Sequence, residues 1–251
     1  MKILSPQTLP PKEPARRRHR PRPAKGWSRY RPCLRWDFGF TCPFCLLHEA
    51  DFYGGQPGEG LGGTTVEHWI PRSTDPEHQD EYENCLYACR FCNRSRSATP
   101  LWGDGVRLLD PTCVAWGDHF AAAGEFLAPA PGDADATYTH RAYELDDPRK
   151  VVRRRLRREV VTDRLALLQF LGGEIEALLN LAAVLRERNA EAFGEALWEI
   201  RQLWHEARRA LKDLGRFPAI PSDAPEACRC PEPPPFQLPP ALEAQTLEID
   251  V

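Results

Sequence analysis

No run of 18 or more apolar residues occurs in the 251-residue chain, so the sequence offers no uninterrupted transmembrane segment. Met1 to Pro11 lacks the apolar core of a secretory signal, and the expectation is a cytoplasmic protein with no membrane partner. Internal repeats are missing as well, which argues against solenoids and propellers. The nine cysteines are odd in number, and four of them fall as two Cys-x-x-Cys pairs, Cys42/Cys45 and Cys89/Cys92. That pattern favours a metal over disulfides. Cys33, Cys85, Cys113, Cys228 and Cys230 do not extend the spacing and read as buried or incidental thiols. Acidic residues are almost lacking from residues 1–36, which carry 11 Lys or Arg against Glu13 alone. That segment is therefore +10 and the remainder −13, giving the net −3.

What is present is an ordinary hydrophobic share of 42%, enough for a packed core. Prolines 10, 11, 14, 21 and 23 interrupt residues 1–26, so these are expected to form a disordered basic arm. Residues 27–100 are short-element and turn-rich, with Gly54-Gly55, Gly58, Gly60 and Gly62-Gly63. Residues 101–146 read as a connecting region, with a short helix around Asp118 to Ala123 and a strand in the alternating stretch Thr137 to Leu145. Asp147-Pro148 is a helix start, and Leu156, Val160, Leu167, Leu171, Leu178 and Leu185 follow at near-helical spacing. Residues 147–215 should therefore be helical, with a break at Gly172-Gly173 and a second helix from about Ala190. Residues 216–251 form a Pro-rich tail. The block Arg149 to Arg158 has seven basic side chains, able to neutralise phosphates or to form a solvated helix face.

Cys42-Pro43-Phe44-Cys45 and Cys89-Arg90-Phe91-Cys92 are tight turns that can each aim two thiolates at one tetrahedral ion. Together they make a closed four-cysteine Zn2+ site with no open position, hence a structural one. Between and just after them lie Glu67-His68, Asn84 and Asn93. Cutting a phosphodiester needs a base with pKa near neutrality and a hard divalent ion on oxygen ligands. His68 supplies the first; Glu67 and Asn93 offer the oxygens.

The order Cys-x-x-Cys, Val-Glu-His-x-Ile-Pro-Arg, Asn84-x4-Cys89-x-x-Cys92-Asn93 resembles the zinc-containing HNH, or ββα-metal, endonucleases. The resemblance implies an α+β fold: a zinc-stapled ββα nuclease core, here followed by a helical C-terminal region. It implies a strand ending at His68, a loop carrying Asn84, a second strand over Cys85 to Tyr87, and a helix beginning near Arg90. By matched position, His68 is the general base, Glu67 and Asn93 are ligands of a catalytic Mg2+ or Mn2+, and Asn84 pins the loop. The expected products are a 5′-phosphate and a 3′-hydroxyl, from DNA as the expected substrate, with RNA left open. Glu67 stands where Asp is frequent, and Asn93 where many members have His.

Arg72, Arg94 and Arg96 flank the motif and are expected to position the nucleic-acid backbone. Trp27, Tyr30 and Trp36 among arginines suit either base stacking or packing on the zinc turns. His78 reads as a surface-loop residue, and His48, His119 and His140 as structural. One alternative is a catalytically silent zinc-fold module that only binds nucleic acid. A weaker resemblance, to PtuB-like antiphage-defence HNH nucleases, implies an ATPase partner docked through the helical region or tail; a McrA-like restriction nuclease is equally open.

Overall fold

Strand alternation and two thiolate turns set the architecture around the chain's small β-hairpin. The structure, a computed structural model, describes residues 10–213 apart from residues 24, 53–62 and 98. The glycine cluster 54–62, Cys228, Cys230 and the Pro-rich tail lie outside the described residues. The described chain forms α1 (Arg31–Asp37), β1 (Thr64–His68), β2 (Cys85–Cys89), α2 (Arg90–Arg96), β3 (Trp102–Gly103), β4 (Val106–Arg107), α3 (Trp116–His119), β5 (Phe120–Ala123), β6 (Phe126–Pro129), α4 (Ala134–Ala142), α5 (Pro148–Leu185) and α6 (Ala190–Asp213). It divides into two compact units, one running to Arg158 and the other from Glu159 onwards. The division falls inside α5, not at residue 147.

In the first unit β1 and β2 pair antiparallel, Thr64 opposite Cys89 and His68 opposite Cys85. Thr65 and Glu67 thereby share one face of the hairpin, and Val66 and His68 the other. α2 follows β2 directly, its first turn capped by the Cys89 sulfur, which accepts from the Cys92 N–H at 3.3 Å. α1 and the turn Glu49–Phe52 are tied to the hairpin by a buried network. Arg35 donates two hydrogen bonds to Glu49 at 2.7 and 2.9 Å, and the Tyr87 hydroxyl reaches both Glu49 and Thr64. A fork-to-fork pair of this kind satisfies both charges out of water.

The stretch 101–146, expected as a connector, is part of this core. Phe44, held between Cys42 and Cys45, stacks on Tyr143 with ring centroids 3.9 Å apart and meets Trp116 edge-on at 6.1 Å. Two sequence expectations fail here. The strand over Thr137 to Leu145 is instead α4, because Asp133 caps it by accepting from Ala136 N–H and Thr139 turns inward to the Leu109 N–H. The helix at Asp118 to Ala123 stops at His119, and Phe120 to Ala123 pair as β5 with β6.

The basic arm is also corrected over its described part. Residues 10–23 lie along the core: Gly117 N–H donates to Pro11 O and Ala15 N–H to Pro111 O, both at 2.7 Å. Arg17 reaches the carbonyls of Tyr82 and Glu83, while Arg18 and His19 N–H share the Asp37 carboxylate. Gly117 permits this approach, since a Cβ there would sit 3.0 Å from the Pro10 and Pro11 carbonyl oxygens. Proline bars the arm from helix and sheet but leaves its N–H groups and arginines free to bond the core.

The first turns of α5 belong to this unit too. Lys150 is fully buried and donates to the carbonyls of Tyr143 and Glu144. Arg154, also buried, bonds the carbonyls of Glu125, Leu145 and Cys45. Three of the seven cations of the basic block, Lys150, Arg154 and Arg157, are thus internal caps for carbonyls and for Asp51, and do not face a nucleic acid.

The second unit pairs the remainder of α5 with α6 around Val161, Leu168, Leu171, Ile175, Ala196, Ile200 and Ala207. α5 passes through Gly172-Gly173 unbroken, since neither glycine adopts a positive φ and helical hydrogen bonding from both sides carries them. Leu156 and Val160, which share the near-helical spacing, are exposed. By length and composition alone α5 qualifies as a membrane span, although its buried side packs here on α6.

Candidate metal and active site

Cys42, Cys45, Cys89 and Cys92 are all fully buried, and their four sulfurs lie within 4.8 Å of one another. A tetrahedral Zn2+ with sulfur ligands at ~2.3 Å requires sulfur–sulfur edges of about 3.8 Å. The Cys45–Cys89 separation of 3.6 Å matches that edge. The first turn closes through Leu46 N–H to Cys42 O and Cys42 N–H to Leu47 O, both 2.9 Å, with Leu46 in the left-handed region at φ 62°. Burial opposes ionisation of Cys42, Cys45 and Cys92. At Cys42 hydrogen bonds from the other three outweigh it and hold its pKa well below the usual thiol value. Burial and these bonded neighbours push Cys45 and Cys92 well above theirs. The sulfurs can all be thiolates only with a compensating cation, so the donor set fits a structural zinc ion.

His68 ends β1 and is buried, its ring edge-on to Trp27 with centroids 5.3 Å apart. Its Nε2 lies 3.0 Å from the Gln79 carbonyl oxygen. A carbonyl only accepts, so Nε2 carries the proton and Nδ1 keeps the lone pair. Burial lowers the His68 pKa, Arg72 and Arg96 lower it further, and the Gln79 bond opposes them. The ring is therefore neutral near pH 7, the form a base requires.

Glu67 points to the opposite face of β1, toward α2. Its carboxylate is buried, 3.5 Å from the Arg96 guanidinium. Burial pushes its pKa up to about 8, despite the lowering by Arg96. The ion pair is longer than a good hydrogen bond, and the carboxylate's charge is left under-compensated. Asn93 reaches the same strand, donating from Nδ2 to the Val66 carbonyl at 3.2 Å and approaching the Thr65 hydroxyl at 3.5 Å, which leaves Oδ1 as a ligand atom. β1 and α2 thus each carry one oxygen donor, Glu67 and Asn93, and the charge deficit at Glu67 is of the kind a hard divalent cation relieves.

Asn84 sits in the turn Tyr82–Asn84 before β2. Its Oδ1 accepts from Ile70 N–H at 2.7 Å, and its Nδ2 donates to the carbonyls of Ile70 and His78 at 3.2 Å. The loop that supplies Gln79 to His68 is thereby clipped to the hairpin. Asn84→Ala should lower stability by about 1–3 kcal/mol, because three part-buried hydrogen bonds to the backbone of Ile70 and His78 are lost together. A urea unfolding midpoint checks this, and an unchanged midpoint would mean that the loop is held by other bonds.

The three arginines separate. Arg72 is exposed, with its guanidinium 5.4 Å from the Trp27 ring, beside His68. Arg94 is exposed on α2. Arg96 is only 1% exposed and donates to the Trp69 carbonyl at 2.7 Å besides pairing with Glu67. It braces the site from inside and does not contact a nucleic-acid backbone. His78 is exposed and pairs with Asp75 at 2.6 Å.

Sequence reasoning missed the Gln79 carbonyl, which leaves no residue-type signal because it is a backbone atom. It also missed Arg96 as the partner of Glu67, for which the signal was present: a cation three residues after Asn93 shares its helix face. Trp27 does not stack outward; it packs on His68, while Tyr30 meets Tyr82 and Trp36 meets Phe40.

No curated protein and no solved structure matches the chain. Among protein families, the HNH endonucleases match residues 42–99, a stretch that begins at the first cysteine of the cluster and includes His68, Asn84 and Asn93. Over those residues the chain is similar to the HNH endonuclease family.

Proposed function

We propose that the protein is a metal-dependent endonuclease that hydrolyses DNA phosphodiester bonds with His68 as general base. The single observation that carries this reading is the His68–Gln79 bond, which fixes the tautomer and leaves Nδ1 to take a proton from water. Trp27 holds the ring in place, and Arg72 stands beside it where a phosphate would be met. Glu67 and the Asn93 Oδ1 would hold Mg2+ or Mn2+, which when bound neutralises charge on the scissile phosphate and the departing oxygen. Arg96 keeps Glu67 oriented. A neutral His68, the loop-pinning Asn84 and the oxygen donors Glu67 and Asn93 support this reading over a silent binding module.

Supercoiled plasmid and metal-stripped protein give the test. Mg2+ or Mn2+ should restore cutting, and Asn93→Ala should remove it while zinc content stays intact. Restoration by Ni2+ or Zn2+ alone would overturn the oxygen-ligand assignment. A place in restriction or antiphage defence rests on the resemblance. The exposed Phe170, Val184 and Trp198 of the helical unit are the surface this reading gives to a partner subunit, an ATPase in PtuB-like systems.

A further inference from the structure

A second cationic surface lies at the far end of β1 from His68. Phe91, the second residue of α2, is half-buried, and three guanidinium groups surround its ring. That of Arg149 is 5.0 Å from the ring centroid, and those of Arg90 and Arg153 are each 5.2 Å away. Phe52 completes the group, its ring 5.8 Å from that of Phe91 and 5.9 Å from the Arg153 guanidinium. Arg90 opens α2, while Arg149 and Arg153 stand one turn apart on α5, so two elements distant in sequence converge here. The Arg90 N–H donates to the Gly63 carbonyl at 2.9 Å, which fixes the cluster beside the start of β1.

Nearby carboxylates leave this surface positive. Asp147 pairs with Arg149 at 2.5 Å, and Asp51 pairs with Arg157 at 3.9 Å beneath Arg153. Among the described residues no ion pair is formed by Arg90, while Arg153 lies in the field of Asp51 and donates to the Arg149 carbonyl at 3.0 Å. Each guanidinium held over the ring, being planar and pre-oriented, loses little freedom when it forks onto an oxyanion. Because guanidiniums occupy the space over Phe91, the ring serves cations and not bases, so the matching ligand is a phosphate backbone. The four residue steps from Thr64 to His68 cover about 13 Å of strand.

We infer that Arg90, Arg149 and Arg153, mounted on Phe91, form a clamp on the DNA backbone at the end of β1 away from His68. The inference rests on the reading of the chain as a DNA nuclease, and it is read out by binding alone. The full chain carrying His68→Ala, which removes cleavage, is titrated with a short DNA duplex across ~50 to ~200 mM salt. Adding Arg90→Gln and Arg153→Gln should weaken binding and reduce the slope of log affinity against log salt by about 2. Phe91→Leu, which keeps every charge, should weaken binding at unchanged slope. Arg141→Gln with Arg155→Gln, two exposed arginines elsewhere, is the charge-matched control and should leave the slope alone. An unchanged slope in the first pair, an equal loss in the control, or no duplex binding by the His68→Ala chain would each overturn the clamp. Failure of the nuclease reading would show separately, as unaltered protein that binds and never cuts.

Discussion

Cys89→Ser is expected to abolish cooperative unfolding of the nuclease core. Cys89 is at once one of the four clustered cysteines fitted to a zinc ion, the last residue of β2 and the cap of α2, so its loss removes a metal donor, a strand end and a helix start together. Strands of five residues and a helix of seven are too small to hold by apolar burial alone. Structural zinc contributes apparent free energies of ~10–16 kcal/mol, comparable with or larger than the whole stability of a typical domain at ~5–15 kcal/mol. The effect should spread beyond the metal, because Phe44 between the first two ligands stacks on Tyr143 and Arg154 bonds the Cys45 carbonyl. Metal analysis should find one zinc per unaltered chain and none in the variant, and thermal melting should lose its sharp transition. Cys113→Ser, at an exposed thiol outside the cluster, should melt as the unaltered chain does. A Cys89→Ser protein with native melting would remove the zinc from the folding account.

His68→Ala should reduce the rate of DNA cleavage by about 10²–10⁴-fold, the usual contribution of a positioned general base. His68 is a buried ring resting on Trp27, so the alanine variant also leaves a small cavity, and some stability is lost with it. His68→Gln separates the two effects: it keeps much of the volume and an amide N–H for the Gln79 carbonyl, but has no group that can take a proton at neutral pH. Initial rates on supercoiled DNA should fall equally in both variants, while His68→Gln melts close to the unaltered chain. A His68→Gln enzyme of normal rate would assign the proton transfer elsewhere.

The zinc turns and the hairpin were legible because thiolate spacing and the Glu67-His68 pair announce their chemistry in residue types. α5 and α6 were legible as helices from apolar periodicity, and the start at Pro148 from its cap. α4 was misread as a strand because Thr137, Tyr138 and Thr139 alternate with polar neighbours, and the Asp133 cap decided the matter locally. The basic runs misled for a different reason. Charge in a sequence suggests solvent or phosphate, but Lys150 and Arg154 satisfy buried carbonyls and Arg96 a buried carboxylate, which only tertiary contacts can show. Residues 10–23 escaped recognition because their attachment uses backbone N–H groups and single side chains, with no periodicity.

The most direct test of the account is the cutting of supercoiled plasmid by the unaltered chain with Mg2+, run beside His68→Gln, with binding to the same DNA measured in both. The account predicts cutting by the unaltered chain that leaves 5′-phosphate ends, cutting slowed by about 10²–10⁴-fold in His68→Gln, and equal binding by the two. Unaltered protein that binds without cutting, or a His68→Gln protein that cuts as well as its parent, would contradict it.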